Sequence, residues 1–277
     1  MEGVELKMKK NNSFSPQHNI YIKKIRKDKF IVVFLRVAIL ILFLGLWELF
    51  ASFGIYDPFI TSSPSRIAVT IKRLFIENNL FYHIGITLLE TFLGFLIAVI
   101  AGYFVALALW WSEKLQKVLE PYIVVLNSLP KIALGPIIIV WCGSGMKAII
   151  FMAMLIGVIV AVITMLNGFL ATDKEKILLL RSMGANKFQI LFKLIIPGSL
   201  PTFISMLKIN VGMAWIGSIM GEYLVSRAGL GYLIVYGGQV FKLDLVMAAT
   251  VVLCVLAAGM YALVALLEKV IVKYKNQ

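Results

Sequence analysis

Long apolar runs, each long enough to cross a bilayer as a helix, alternate with short segments that hold most of the Lys and Arg. A helix needs about 20 mainly apolar residues to span roughly 30 Å of hydrocarbon. The hydrophobic set makes up 61% of the 277 residues, the charged set 15%, and mean hydropathy is +0.93. Soluble chains run at roughly 45–50% apolar and about 25% charged. Apolar surface in this excess needs lipid, so the expected fold class is an all-α polytopic membrane protein.

Six transmembrane helices are expected, over about 30–53, 84–109, 119–141, 147–170, 202–221 and 245–271, the third broken near Pro130 and Pro136. Residues 1–29 form a basic tail ahead of the first span. That span is longer than a signal-peptide core of about 7–15 residues and no small-residue cleavage site follows it, so it reads as an uncleaved anchor. The segment Ile55 to Phe81 should be an external loop with one amphipathic helix, and Trp110-Trp111 an interfacial aromatic anchor. Cations concentrate in the tail, in 171–201 and after the last span. The positive-inside rule then puts both chain ends in the cytoplasm, N-in/C-in.

The net charge of +13 does not point to nucleic acid, because the cations flank apolar spans. Cys142 and Cys254 lie in or beside apolar stretches and imply neither a disulfide framework nor a metal site. His18 and His83 are far apart without paired cysteines, so zinc chemistry is not expected. A membrane-embedded enzyme would cluster His, Asp or Cys within its spans, and none does. A stand-alone secondary transporter would need intramembrane acids, for which Glu90 is the one candidate; it reads either as a pathway acid or as a paired structural group. Glu48 and Glu222 are expected near the outer surface, solvated or touching a partner. Gly217 and Gly221 with Ala214 and Ser218 make a small-residue packing face, within the subunit or across a dimer axis. Gly229-Leu-Gly231 looks like the start of a short interfacial helix.

The polar stretch 171–201 carries the most information. Asp173 to Met183 has helical propensity with acids in its first turn, where the helix dipole favours them. Gly184 and Asn186 suit a tight corner. A second helix is expected from about Lys187 to Ile196, stopping at Pro197, with Phe188, Leu191, Phe192 and Ile195 on one side. Such a helix–corner–helix suits docking onto a protein, or lying on anionic headgroups.

This loop resembles the motif of inner-membrane permeases of ATP-binding-cassette importers: Glu-Ala-Ala, three residues, Gly, nine residues, Ile, one residue, Leu-Pro. Gly184, Leu194, Ile196 and Pro197 take its later places, whereas Leu178, Leu179 and Leu180 stand where Glu-Ala-Ala would be. Leu119 to Pro136, Trp141-Cys-Gly-Ser-Gly145, Leu46-Trp47-Glu48-Leu49, Ala214-Trp215-Ile216-Gly217 and Gly229-Leu-Gly-Tyr-Leu-Ile234 are similar to the nitrate/sulfonate/taurine branch.

The resemblance implies a type I importer permease fold and no enzymatic chemistry in this chain. A separate cytoplasmic ATPase would bind ATP and Mg, an extracytoplasmic solute-binding protein would deliver the solute, and a second permease copy would complete the path in a bacterial cell membrane. No cofactor is expected in this chain, which has no Gly-x-x-x-x-Gly-Lys-Ser/Thr phosphate loop. The expected coupling residues are Arg181, Ser182, Met183, Gly184, Ala185, Asn186, Lys187 and Pro197. The implied solute is a sulfonate, nitrate or taurine-like anion, with a pyrimidine vitamin precursor as the alternative. Lys131, beside Pro130 at a helix break, reads with Asn127 and Ser128 as lining the path, or as a lysine reaching for the interface.

Overall fold

The structure, a computed structural model, describes residues 16–55, 57–77 and 80–275; the first half of the basic tail, 1–15, lies outside them. The chain divides into two compact units, 1–65 and 66–277. In the first unit, α1 (Pro16–Ser52) is a single helix whose apolar stretch Phe30–Ser52 is long enough to span. Phe34, Ile39 and Leu42 are exposed around it, as expected of a helix whose solvent is lipid. Glu48 is not simply solvated. Its carboxylate accepts the Ser65 backbone N–H at 2.9 Å and the Ser65 hydroxyl at 2.7 Å, supplying acceptors at the start of α3 (Pro64–Glu77) after the short α2 (Pro58–Thr61). Helix starts leave such N–H groups without intrahelical partners.

The second unit is built on α4 (Leu80–Trp111), α7 (Met146–Leu170) and α11 (Leu200–Val225). Lipid offers no hydrophobic drive for helix association, so close backbone approach and buried hydrogen bonds supply it. A Cβ on Gly94 would overlap Ala153, one on Gly102 would overlap Ala161, and one on Gly217 would run into the Ala153 backbone. Gly221 lies against Ile149. The small-residue face of α11 therefore packs inside the subunit, against α7. Thr91 and Ser218 hydroxyls join α4 to α11 at 2.6 Å, and Lys208 of α11 pairs with Glu268 of α13 (Leu243–Lys275) at 2.5 Å.

Between α4 and α7 the chain forms α5 (Glu113–Ser128), a 3₁₀ turn (Lys131–Leu134) and α6 (Gly135–Cys142). The expected third span is thus bent by 86° at its break. Pro130 donates no N–H and Leu129 before it is extended (ψ 137), as a residue preceding proline prefers. The bent pair still carries the chain across. Trp110, at the end of α4, shares a cavity with Phe169 and Leu170 at the end of α7. Ile86 and Glu90, early in α4, share another with Met146 at the start of α7. A chain leaving α4 at one end and entering α7 at the other must traverse the bundle between them. Among the described residues, five continuous helices are long and apolar enough to cross a membrane, and the bent pair counted as one span makes six.

After α11, Gly229 adopts φ +115 and opens α12 (Leu230–Gln239). Its first N–H groups all meet side chains: Gly229 donates to His83 Nδ1 (3.0 Å), Leu230 to Thr87 Oγ1 (2.8 Å), and Gly231 and Tyr232 to Glu222 Oε2 (2.6 and 3.3 Å). Glu222 is only 1% exposed and Glu90, whose carboxyl it meets, 2%. The reading of Glu222 as a solvated surface acid is therefore corrected: a carboxylate at a helix start is favoured by the dipole and satisfies orphan donors. Glycine is required at 229 and 231 because a Cβ at either would strike that carboxylate. Glu222→Ala strands the Gly231 and Tyr232 N–H groups and should cost about 2–3 kcal/mol. A lower thermal-unfolding midpoint in detergent checks this, and Glu222→Gln, which keeps an acceptor, should fall less.

Candidate functional site

The polar segment after α7 folds as α8 (Lys174–Ser182), a corner, α9 (Lys187–Ile190), a π-helical turn (Leu191–Ile195) and α10 (Ile196–Gly198), leading into α11. Asp173 caps α8 by accepting the Glu175 N–H at 2.9 Å. At the other end Met183 is the last half-helical residue and Gly184 takes φ +82. The Ala185 N–H reaches back to the Leu180 carbonyl and the Gly184 N–H to that of Arg181, both at 2.9 Å. This pairing closes a Schellman motif, in which glycine is the residue that enters the left-handed region without a Cβ penalty. Two residues later Asn186 and Gln189 form a reciprocal capping box: the Gln189 N–H donates to Asn186 Oδ1 at 2.8 Å, and the Asn186 N–H to Gln189 Oε1 at 2.9 Å. The corner is thus specified at both ends by local chemistry.

The corner is also fastened to α4. The Lys187 ammonium donates to the Trp111 carbonyl and lies 5.0 Å from the Trp111 ring centroid and 5.7 Å from that of Trp110. The Phe188 ring sits 4.7 Å from the Trp111 ring. A cation at the carbonyl end of α4 complements the helix dipole and gains from the ring quadrupoles. Trp110-Trp111 therefore does more than mark an interface. A cavity of about 460 Å³ lies beside this fastening, lined in part by Trp110, Gln116, Phe169, Arg181 and Lys187.

Two expectations for the second helix need correction. It does not stop at Pro197: the Ile196 N–H bonds to the Leu191 carbonyl, five residues back, and helix continues through Gly198. The wider turn accommodates a residue that has no N–H and whose ring crowds the carbonyl four residues earlier. Nor do the four apolar residues share one environment. Leu191 and Ile195 are buried in the bundle with Ile190, whereas Phe188 and Phe192 are exposed.

Of the other residues singled out, Arg181, Ser182, Met183, Asn186 and Lys187 are exposed, Ala185 is half-buried and Pro197 is exposed at the foot of α11. The surface of α8 bears an apolar patch: Leu178 is 68% exposed, Leu179 59% and Met183 74%, while Ile177 and Leu180 pack into the core. Leu178, Leu179 and Leu180, which together stand in the Glu-Ala-Ala places, thus divide between surface and core. Their spacing holds the missed signal, since with Ile177 and Leu180 turned inward at i, i+3, Leu178 and Leu179 must face out. Asn127, Ser128 and Lys131 come together at the 86° bend. Lys131 Nζ donates to the Asn127 carbonyl at 3.1 Å, and Ser128 Oγ to the Val124 carbonyl at 2.8 Å. The first satisfies a carbonyl that the end of α5 leaves open; the second is a serine hydroxyl bonding back four residues along its own helix.

Residues 94–273 match the family described as binding-protein-dependent transport system inner membrane component. The chain belongs to that family. A probable ABC transporter permease of Haemophilus influenzae is 31% identical over 79% of this chain and 88% of its own length. A putative aliphatic sulfonates transport permease of Bacillus subtilis is 25% identical over 84% of each chain. A formylaminopyrimidine transport permease of Halalkalibacterium halodurans is 29% identical over 68% of this chain and 74% of its own. Among solved structures, an inward-facing MetNI methionine ABC transporter chain superposes with TM-score 0.63 at 20% identity, over 69% of this chain and 95% of that one. The permease thus has the type I ABC importer fold, and the corner at Gly184 lies within the family match.

Gly184→Ala in this permease forces a Cβ into the left-handed region at a cost of about 1 kcal/mol. Hydrogen exchange should register it as roughly fivefold faster exchange at the Gly184 and Ala185 amides. Unchanged rates would mean that the corner does not depend on that conformation.

Proposed function

We propose that this permease subunit is driven by a separate cytoplasmic ATPase that docks on the corner spanning Leu178 to Lys187. The observation that carries the reading is the rigid, doubly capped corner with Leu178, Leu179 and Met183 exposed on it. Apolar side chains held out in a fixed geometry are costly in water and mark a surface that meets a partner. Leucine in the Glu-Ala-Ala places would make this contact more apolar than in relatives that keep the acid. The fastening of Lys187 and Phe188 to Trp111 gives the docked partner a handle on α4. The ATPase supplies ATP and Mg binding, and this chain holds no cofactor.

On the same reading, an extracytoplasmic solute-binding protein loads the path and a second copy of this permease completes it as a homodimer. The protein sits in a bacterial cytoplasmic membrane. The cation bias places the corner and both chain ends on the cytoplasmic side. The solute is a small anion of the sulfonate, nitrate or taurine kind, supported by the branch resemblance and the sulfonate permease relative. The formylaminopyrimidine relative favours a pyrimidine vitamin precursor as the second reading; uptake assays with each solute in cells carrying the full importer separate the two. Lys131, Asn127 and Ser128 line the path at the bend.

Leu179→Asp with Met183→Asp places two carboxylates in the docking face and should lose at least about 3 kcal/mol of affinity, roughly a hundredfold. Co-purification of the ATPase with the permease, and uptake, should both fail while the permease accumulates normally. ATPase retained at wild-type level would overturn the docking reading. Lys131→Ala should cut uptake about tenfold with the complex still assembled; unimpaired uptake would remove Lys131 from the path.

A further inference from the structure

A cavity of about 560 Å³ opens between α3, the start of α4, α12 and the start of α13, well away from the corner. Two cations line it, Arg73 of α3 and Lys242 just before α13, together with the rings of Tyr82, His83, Tyr232 and Tyr236. One carboxylate, Glu77, also lines it, so positive charge is in excess.

The frame of this cavity is fixed. Arg66 binds Asp244 through Nε and a terminal nitrogen at 3.2 and 2.7 Å, tying α3 to α13. Arg73 follows Arg66 by two helical turns on the same face of α3. Neither Arg73 nor Lys242 makes an ion pair among the described residues. The aromatic wall is equally ordered. His83 is nearly parallel to Tyr232, with centroids 6.3 Å apart, and Tyr232 to Tyr236 at 6.0 Å. His83 in turn holds the Gly229 N–H on its Nδ1, leaving Nε2 to carry a proton and donate.

What distinguishes this cavity from a solute site is its surroundings. It sits at the level where α4 and α13 begin their apolar runs. Val69, Phe75 and Ile76 of α3 and Phe81 at the start of α4 are exposed. Apolar side chains beside cations and tyrosines form the arrangement of a membrane–water boundary. There aromatic rings sit at headgroup depth, and Lys and Arg meet lipid phosphates.

We infer that this cavity is a binding site for the phosphodiester headgroup of an anionic membrane phospholipid, held by Arg73 and Lys242 against the tyrosine wall. Arginine's planar fork fits two phosphate oxygens at once, and the tyrosine hydroxyls and His83 Nε2–H add neutral donors. Bound there, a lipid would link α3, α4, α12 and α13 at one face of the permease.

The test uses the full chain reconstituted in vesicles of mixed phosphatidylglycerol and phosphatidylcholine, then extracted gently for native mass spectrometry. Wild-type permease should retain phosphatidylglycerol in preference to phosphatidylcholine. The double substitution Arg73→Gln with Lys242→Gln should lower that retention about thirtyfold, the expected effect of two cations at an anionic surface. Lys72→Gln, an exposed neighbour on α3 outside the cavity, should leave it unchanged. Circular dichroism checks that each variant is folded; should the double variant fail, Arg73→Gln alone should lower retention about fivefold. Retention unaffected by the cavity substitutions, or lowered as much by Lys72→Gln, overturns the site. Displacement of the lipid by inorganic phosphate, with no headgroup preference, assigns the cavity to a free oxyanion and overturns the lipid.

Discussion

Close backbone contact among α4, α7 and α11 is the constraint on which the rest depends. In hydrocarbon, leucine against leucine gains nothing over leucine against lipid, so helices hold together where their backbones can approach and hydrogen bonds can form away from water. Gly94, Gly102, Gly217 and Gly221 allow that approach on Ala153, Ala161 and Ile149. The Thr91–Ser218 hydroxyl contact adds a buried polar link. Once these three helices are set, the ends of α4 and α7 are at fixed heights, and the chain between them has to cross, bend included.

Two polar assemblies then sit at opposite ends of this bundle. At one, Glu222 with His83 and Thr87 receives the first four N–H groups of α12. At the other, Lys187 and Phe188 hold the corner onto the Trp111 end of α4. Both use the partial charge at a helix end, carboxylate at the amide end and ammonium at the carbonyl end. Both assemblies are built on α4: His83 and Thr87 lie at its start and Trp111 at its end.

Much of the corner was legible because its specification is local. Asp173, Gly184, Asn186 and Gln189 each act within five residues of themselves, so their residue types announce their roles. The apolar runs were legible for a similar reason: length and hydropathy decide whether a helix can cross lipid. Less legible were positions whose meaning is set by distant partners. Glu222 read as a surface acid because α12, which it caps, begins eight residues later and folds back onto it. Phe188 and Leu191 looked equivalent on a helical wheel, yet one lies on Trp111 and the other in the bundle. Pro197 suggested a stop, and the π-helical turn absorbed it.

By itself the sequence determined that the chain is helical and membrane-spanning, and where its corner turns. Hydrophobic length, cation bias and capping chemistry are additive along the chain and need no knowledge of the fold. Packing in three dimensions settled that the break in the third span is an 86° bend, that the glycine face of α11 lies on α7, and which leucines of α8 are left outside. Those outcomes depend on which backbones meet, and the same residue becomes core, cap or exposed contact according to the neighbour that the packing brings to it.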